Sequence, residues 1–120
     1  MRGNRNEISE RMLDFAAGII KLTSQISRTA VGRHISGQLT KSGTSSGANY
    51  EEACGAESKA DFIHKLQIVL KELKESRYWL RLIERTNLLS GNRVGLEALL
   101  QEADELAKII AKSIVTAKRK

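Results

Sequence analysis

The fold is decided by residues 58–87, which read SKADFIHKLQIVLKELKESRYWLRLIERTN. Side chains of one seam recur there at alternating steps of four and three residues, from Phe62 to Ile83, and all but one are apolar. This spacing places an apolar stripe on one side of a helix, as a helical bundle requires. Ser58, followed three residues later by Asp61, is typical of a helix N-terminus. We therefore predict a long amphipathic helix over about residues 58–87.

Two further segments show the same spacing. Residues 6–26 carry the seam Ile8, Met12, Phe15, Ile19, Leu22 and Ile26. Residues 94–118 carry the seam Leu96, Leu99, Ala103, Leu106 and Ile110. The acidic residues of the last segment come early and its lysines come late, an order that suits the helix dipole. We predict one helix in each segment.

The stretch between the first and third helices is ambiguous. It holds five of the nine glycines of the chain, and residues 41–47 read KSGTSSG, a composition typical of a flexible loop. Yet Val31, Ile35 and Leu39 keep helical spacing before these glycines. The small residues that could line a closely packed helix face are Ser42, Ser46, Asn49 and Ala53. We favour one long, kinked helix over residues 29–54, although each interior glycine costs about 1 kcal/mol relative to alanine.

Composition agrees with a single all-α domain over residues 1–120. The chain has no proline, is 41% hydrophobic and 28% charged, and therefore reads as globular and helical. Four helices with short connections predict an antiparallel up-down four-helix bundle. No run of about 18 apolar residues exists, so we expect no membrane span. Because the N-terminus is polar and Cys54 is the only cysteine, we expect a soluble, cytoplasmic protein.

Three groups of residues raise the question of chemistry, and none completes a site. The glycines at 43 and 47 lack the following Lys-Ser/Thr and the preceding strand of a phosphate-binding loop. Asp61 and His64 have the spacing of half a di-iron site, but His34 has no acid three residues before it. Cys54 has no evident orienting group beside either histidine. We therefore expect no enzyme activity, no catalytic or metal-binding residue and no cofactor.

The net charge of +6 favours an anionic partner such as RNA or DNA, although a protein that is merely basic remains the alternative. Aromatic residues make up only 4% of the chain, too few for a platform on which single-stranded bases stack. We expect Trp79 to pack at a helix–helix or subunit interface. Tyr50, Tyr78 and Trp79 are the candidate contacts for a protein partner.

Four blocks of the sequence resemble one protein family. They are residues 32–39 (GRHISGQL), 42–53 (SGTSSGANYEEA), 58–66 (SKADFIHKL) and 78–83 (YWLRLI). Together they are similar to the 23S rRNA intervening sequence proteins, and the resemblance extends over about residues 8–115. Members often have a proline where this chain has Ser46, so the resemblance implies a gentler kink in the second helix here.

The resemblance implies more than the residue chemistry does. Proteins of this family are four-helix bundles that assemble as ring-shaped pentamers, are encoded in intervening sequences of bacterial large-subunit rRNA genes or elsewhere in bacterial genomes, and include no established enzyme. The related accessory variability proteins of diversity-generating retroelements form similar basic pentamers that bind nucleic acid and a reverse transcriptase. We therefore expect a bacterial homopentamer that binds RNA or DNA. The alternative is a scaffold that docks a protein such as a reverse transcriptase. The candidate phosphate contacts are Arg2, Arg5, Arg28, Arg33, Lys41, Lys118, Arg119 and Lys120.

Overall fold

The computed structural model of the protein contains four α-helices. It describes the backbone of residues 5–120 and the side chains of residues 6–120. They are α1 (Arg5–Thr23), α2 (Ala30–Cys54), α3 (Lys59–Glu84) and α4 (Arg93–Arg119). All four predicted helices are confirmed, with ends that differ from the predicted ones by three residues at most. Within residues 5–120 no strand forms, and the one β-bridge joins Ile26 to Leu89.

Three of the helices begin at a side chain that accepts a hydrogen bond from the backbone three residues later. Thr29 caps α2 by accepting from the N–H of Gly32 at 3.0 Å, and Ser58 caps α3 by accepting from the N–H of Asp61 at 3.0 Å. Asn92 caps α4 in the left-handed conformation, with φ at 57°. Each cap satisfies one of the N–H groups that a helix start leaves without an intrahelical partner. The predicted start at Ser58 is therefore confirmed in its chemistry.

One apolar core runs along the inner faces of the helices. All six seam residues predicted in α1 are buried, and so are all the seam residues of α3 except Phe62, which is partly buried. Leu99 of α4 is also only partly buried. Val31 lies in α2, as its spacing predicts, but it is 59% exposed and does not contribute to the core.

Helix α2 continues through its glycines because they let α1 approach closely. A Cβ atom built on Gly43 would lie 2.4 Å from Cδ1 of Ile19, and one built on Gly47 would lie 3.3 Å from Cβ of Met12. Ser42 and Ser46, both fully buried, continue the same inner face. The prediction of a helix in place of a loop is confirmed, and the kink within it stays a prediction.

The helices pack around the core in a fixed order. Both α1 and α3 pack against α2 and α4, whereas α1 and α3 share no pair of Cα atoms within 8 Å among the described residues. Contacts between α2 and α3 run in opposite numerical order. Ser42 Oγ lies 2.9 Å from Ser76 Oγ, and farther along α2, Glu52 is in an ion pair with Lys65 at 2.7 Å. None of the described helices is long and apolar enough to cross a membrane.

The two ends of the bundle differ. At one end, called the two-loop end here, the α1–α2 and α3–α4 loops are joined by backbone hydrogen bonds from Ser27 N–H to the Leu88 carbonyl (2.8 Å) and from Ser90 N–H to the Gln25 carbonyl (3.1 Å). At the other, the one-loop end, α2 turns into α3. There Lys59 Nζ donates to the main-chain oxygen of Lys120, which places the end of α4 beside the start of α3.

Candidate nucleic-acid interface

Two of the predicted phosphate contacts lie together at the two-loop end. Arg28 belongs to the α1–α2 loop and Arg33 to the first turns of α2, and both side chains are exposed. The guanidinium of Arg33 donates to the backbone carbonyl of Arg28 at 2.8 Å, which holds the two residues side by side. They line a shallow depression with Ser27 and Ser36. The positive end of the α2 dipole adds to the charge of this region.

Three others lie at the one-loop end. Lys118, Arg119 and Lys120 finish the chain and are exposed. The hydrogen bond from Lys59 to Lys120 brings a fourth cation to the same place. Four cations at the end of a helix also offset the negative end of its dipole, so part of this charge serves the fold.

The remaining candidates lie elsewhere. Lys41 is exposed midway along α2. Arg2 and the side chain of Arg5 lie outside the described residues. The bundle measures 47 Å along its longest axis, and α4 alone has 27 residues, which span about 40 Å. One protomer therefore does not gather the candidates into one surface, and they divide between two ends and the middle of α2.

No described candidate is in an ion pair with another described residue. The ion pairs of residues 6–120 instead join Arg11 to Glu102 and Glu105, Lys65 to Glu52, and Arg77 to Asp104. The hydrogen bond to Glu102 holds the pKa of Arg11 above its usual value. Four carboxylates are thus paired with cations other than the candidates, and the candidate cations at both ends are left without an ion pair to a described residue.

The aromatic candidates separate into a core residue and a surface cluster. Tyr50 is only 8% exposed and belongs to the core, which corrects its prediction as a partner contact: its side chain follows the same inner face as Ser46 and Ala53. Tyr78 is 59% exposed and lies edge-on to Trp79, with ring centroids 5.1 Å apart. His34 of α2 also lies edge-on to Trp79, with ring centroids 6.1 Å apart. The sequence did not indicate His34 as part of this cluster.

A second feature missed in the sequence is the charge of the outer face of α3. Lys71 and Lys74 are exposed there beside Tyr78, and no carboxylate is exposed between Lys59 and Glu84. The balance of acidic and basic residues along the sequence of α3 conceals this, because the acidic residues lie on the partly buried flanks of the helix. A helical wheel with the apolar seam turned inward would have separated them.

The groups that raised the question of chemistry have structural roles or lie apart. The N–H of Asp61 is bound by the cap at Ser58. His34, packed on Trp79, lies near the start of α2 and Cys54 is its last residue, so about 30 Å separates them. No group of three or more His, Cys, Asp or Glu in residues 5–120 could hold a metal ion.

A cavity of about 730 Å³ opens at the one-loop end. Its lining includes Ile8, Phe62 and Ile109, and its charged residues are three lysines, of which Lys59 and Lys120 are two. None of the described residues that line it has a carboxylate side chain, so their charge has the same sign as that of Lys118 and Arg119 beside the cavity. No set of converging polar side chains in it resembles a catalytic site.

Comparison with known proteins identifies the family of the chain and solved structures with the same fold. The family model for the 23S rRNA-intervening sequence protein matches residues 4–112. A crystal structure of a protein of unknown function from the S23 ribosomal protein family of Bacteroides thetaiotaomicron VPI-5482 is 37% identical, with a TM-score of 0.81. That alignment covers 92% of this chain and 96% of the other. No curated protein matches the chain.

Proposed function

The chain belongs to the 23S rRNA-intervening sequence protein family, and from this premise we propose that it is a non-enzymatic, nucleic-acid-binding homo-oligomer of the bacterial cytoplasm. It binds RNA or DNA by contacts to phosphates and reads little of the base sequence. The observation that carries the proposal is the set of exposed cations, free of ion pairs with described residues, at the two ends of a bundle whose net charge is +6. Such contacts release counterions and weaken steeply with salt.

Assembly strengthens this function. We propose that the protomer is an antiparallel up-down bundle, supported by the opposite numerical order of the α2–α3 contacts, and that five protomers form a ring. In a ring whose axis follows the helices, each end of the bundle is repeated five times on one rim. Five protomers at +6 each carry +30, and a charge of that size attracts a phosphate backbone far more strongly than one protomer does.

Binding is tested by fluorescence anisotropy with a labelled mixed-sequence RNA and a DNA of the same sequence, titrated from 50 to 500 mM KCl. We expect Arg28→Glu/Arg33→Glu and Arg119→Glu/Lys120→Glu each to raise the Kd about tenfold or more at low salt and to flatten the salt dependence. Each variant loses two cations and gains two carboxylates. The control, Gln67→Glu/Gln101→Glu/Lys108→Glu on exposed residues within α3 and α4, lowers the net charge by the same four units away from both ends.

The outcomes show whether affinity depends on the position of the cations or only on the net charge of the protein. A control that keeps close to wild-type affinity while an end variant loses it supports that end. Equal losses in all three variants would show that only net charge matters and would overturn the assignment to the ends. A wild-type protein that binds neither probe at 50 mM KCl would overturn the nucleic-acid function itself.

One observation favours a second function, a scaffold that docks a protein such as a reverse transcriptase. Tyr78 and His34 are exposed and both contact the partly buried Trp79, and tyrosine and tryptophan are the residues that anchor protein interfaces. The test is co-purification of a tagged chain from its own cell in 1 M NaCl, which strips nucleic acid. A protein that is retained by the wild type and lost with His34→Ala, in a chain whose oligomeric mass is unchanged, supports the scaffold, and a wild type that retains none overturns it.

A further inference from the structure

Helix α1 carries a second apolar seam, on the side that faces away from the core. Leu13, Ala17 and Ile20 are exposed, with 63% of Leu13 and 53% of Ile20 accessible. Their steps of four and three residues are those of a coiled-coil seam. Glu10 and Asp14 are exposed beside them, and one exposed cation, Lys21, lies in the last turn of the helix. The three apolar and two acidic residues are called the acidic face, and an apolar seam of this kind is unusual on the outer side of a helix that faces water.

Helix α3 carries a face of the opposite charge. Lys71, Lys74 and Tyr78 are exposed along its outer side, and Tyr78 is 59% accessible. Arg85, which follows the helix, is exposed too. These four residues are called the basic face. The carboxylates of α3 nearest to these lysines, Glu72 and Glu75, are only partly exposed and are turned to the flanks of the helix, where they accept hydrogen bonds from Ser45 and Trp79.

The two faces cannot meet within one molecule. Each helix packs against α2 and α4 and not against the other, so α1 and α3 occupy diagonal corners of the bundle and turn their outer sides away from each other. Opposite charges with apolar residues between them are the complementarity expected at a specific interface. Two different, complementary patches on one chain suit a heterologous contact, which closes into a ring when the rotation between copies allows it.

The two faces also lie at the same height along the bundle. On one side of α2, Gly43 meets Ile19 of α1, and on the other side Ser42 bonds Ser76 of α3. Ile19 and Ser76 are therefore level. Four residues farther along α2, Gly47 packs against Met12 of α1. Nearby, the hydroxyl of Ser45 donates a hydrogen bond to Glu72 of α3 at 2.8 Å. Copies related by rotation about an axis parallel to the helices would thus bring the two faces together without sliding.

We propose that the acidic face of one copy packs against the basic face of the next, and that this heterologous contact, repeated, builds the ring. The inference rests on the proposed assembly and adds to it the surfaces that form each junction. Glu10 and Asp14 face Lys71 and Lys74 across the junction, while Leu13 and Ile20 cover the ring of Tyr78. Both bundle ends stay open to nucleic acid.

The test uses charge reversal on the full chain, with molar mass measured by size-exclusion chromatography and light scattering. Glu10→Lys/Asp14→Lys and Lys71→Glu/Lys74→Glu should each shift the protein from the wild-type oligomer toward the 13.3 kDa protomer, with the oligomer dissociation constant raised about tenfold or more. The four substitutions together should restore the oligomer. Glu51→Lys/Glu97→Lys changes the charge as much as the first variant, on exposed residues of α2 and α4, and should leave the oligomer intact.

Each outcome decides the question. The junction is supported if each reversal alone dissociates the oligomer and both together restore it. Lys71→Glu/Lys74→Glu lowers the net charge, so dissociation of that variant cannot come from greater repulsion between positively charged copies. If the oligomer survives both reversals, the proposed junction is wrong but the proposed assembly is not. The same holds if only the α1 reversal dissociates the oligomer and the four substitutions together do not restore it. A wild type that is monomeric at every concentration overturns both. Leu13→Gln/Ile20→Gln tests the same face at unchanged net charge and should also dissociate the oligomer, so the junction is tested even if a reversed chain fails to fold.

Discussion

Two glycines of α2 differ in their contribution to stability because their surroundings differ. Gly43 stands against Ile19, a fully buried side chain of α1, and a Cβ atom there would lie 2.4 Å from its Cδ1. Gly37, two turns earlier, has no atom within 4 Å of the position of a Cβ. The first glycine is needed for the close approach of α1 and α2. The second carries the entropic cost of glycine in a helix with no packing to offset it.

We expect Gly37→Ala to raise the free energy of unfolding by about 1 kcal/mol, because alanine stabilises a helix interior relative to glycine. Gly43→Ala gains the same helix term but overpacks Ile19, a penalty of about 1–3 kcal/mol, so its net effect is a loss of roughly 0–2 kcal/mol. Urea unfolding followed by circular dichroism at one protomer concentration measures both. Equal stabilisation by the two substitutions would contradict the tight contact at Gly43.

At the scale of the helices, the ion pair between Arg11 of α1 and Glu102 of α4 links two elements through two hydrogen bonds, at 2.7 and 2.9 Å. Both side chains are about three-quarters buried, whereas Arg77 and Asp104, which link α3 to α4, are nearly half exposed. A two-point contact of partly buried groups is stronger and less screened than an exposed one. The two pairs therefore form a natural comparison.

We expect a double-mutant cycle of Arg11→Met and Glu102→Gln to give a coupling free energy of about 1 kcal/mol at low salt. The corresponding cycle of Arg77→Met and Asp104→Asn should give about 0.3 kcal/mol and lose most of it in 1 M NaCl. Thermal or urea unfolding supplies the four free energies of each cycle. Equal couplings in the two cycles would show that burial of the first pair adds nothing.

The helices themselves could be predicted because heptad spacing and caps are local signals. Burial was harder to predict where it depends on a neighbouring element. Val31 keeps the spacing of Ile35, but it stands beyond the level where α3 ends at Glu84, so no helix covers it. Tyr50 stands beside two glutamates and therefore read as surface, although it follows Ser46 by four residues on the inner face of α2.

The functional surfaces were predicted less well than the fold for a similar reason. Arg28 and Arg33 were found from charge alone, and the structure adds that they lie together. The lysines of α3 were missed because charge was counted along the chain and not around the helix. His34 joined the aromatic cluster only through packing across two helices, which no local pattern indicates.

At the scale of the whole molecule, assembly and stability are linked. If the acidic and basic faces are buried between copies, each protomer is stabilised by its neighbours, and dilution removes that contribution. We expect the Tm of the wild type to rise by roughly 3–5 °C for each tenfold increase in protomer concentration. Leu13→Gln/Ile20→Gln should have a Tm that does not depend on concentration. Scanning calorimetry or circular dichroism over a hundredfold range measures this, and a wild-type Tm that never changes would contradict it.

The hydrogen bonds between the two loops have a consequence for the entropy of binding. Ser27 is fixed by its N–H and its hydroxyl to the Leu88 carbonyl, at 2.8 and 3.0 Å, and Arg28 follows it directly. The backbone under that cation is thus already ordered before any ligand arrives, and Arg33 is anchored to it. A phosphate that meets this end has little to immobilise, whereas the side chains of Lys118 to Lys120, which have no hydrogen bond to another described residue, lose rotamer freedom when they bind one. Preorganisation, more than the number of positive charges, would make the two rims of a ring unequal.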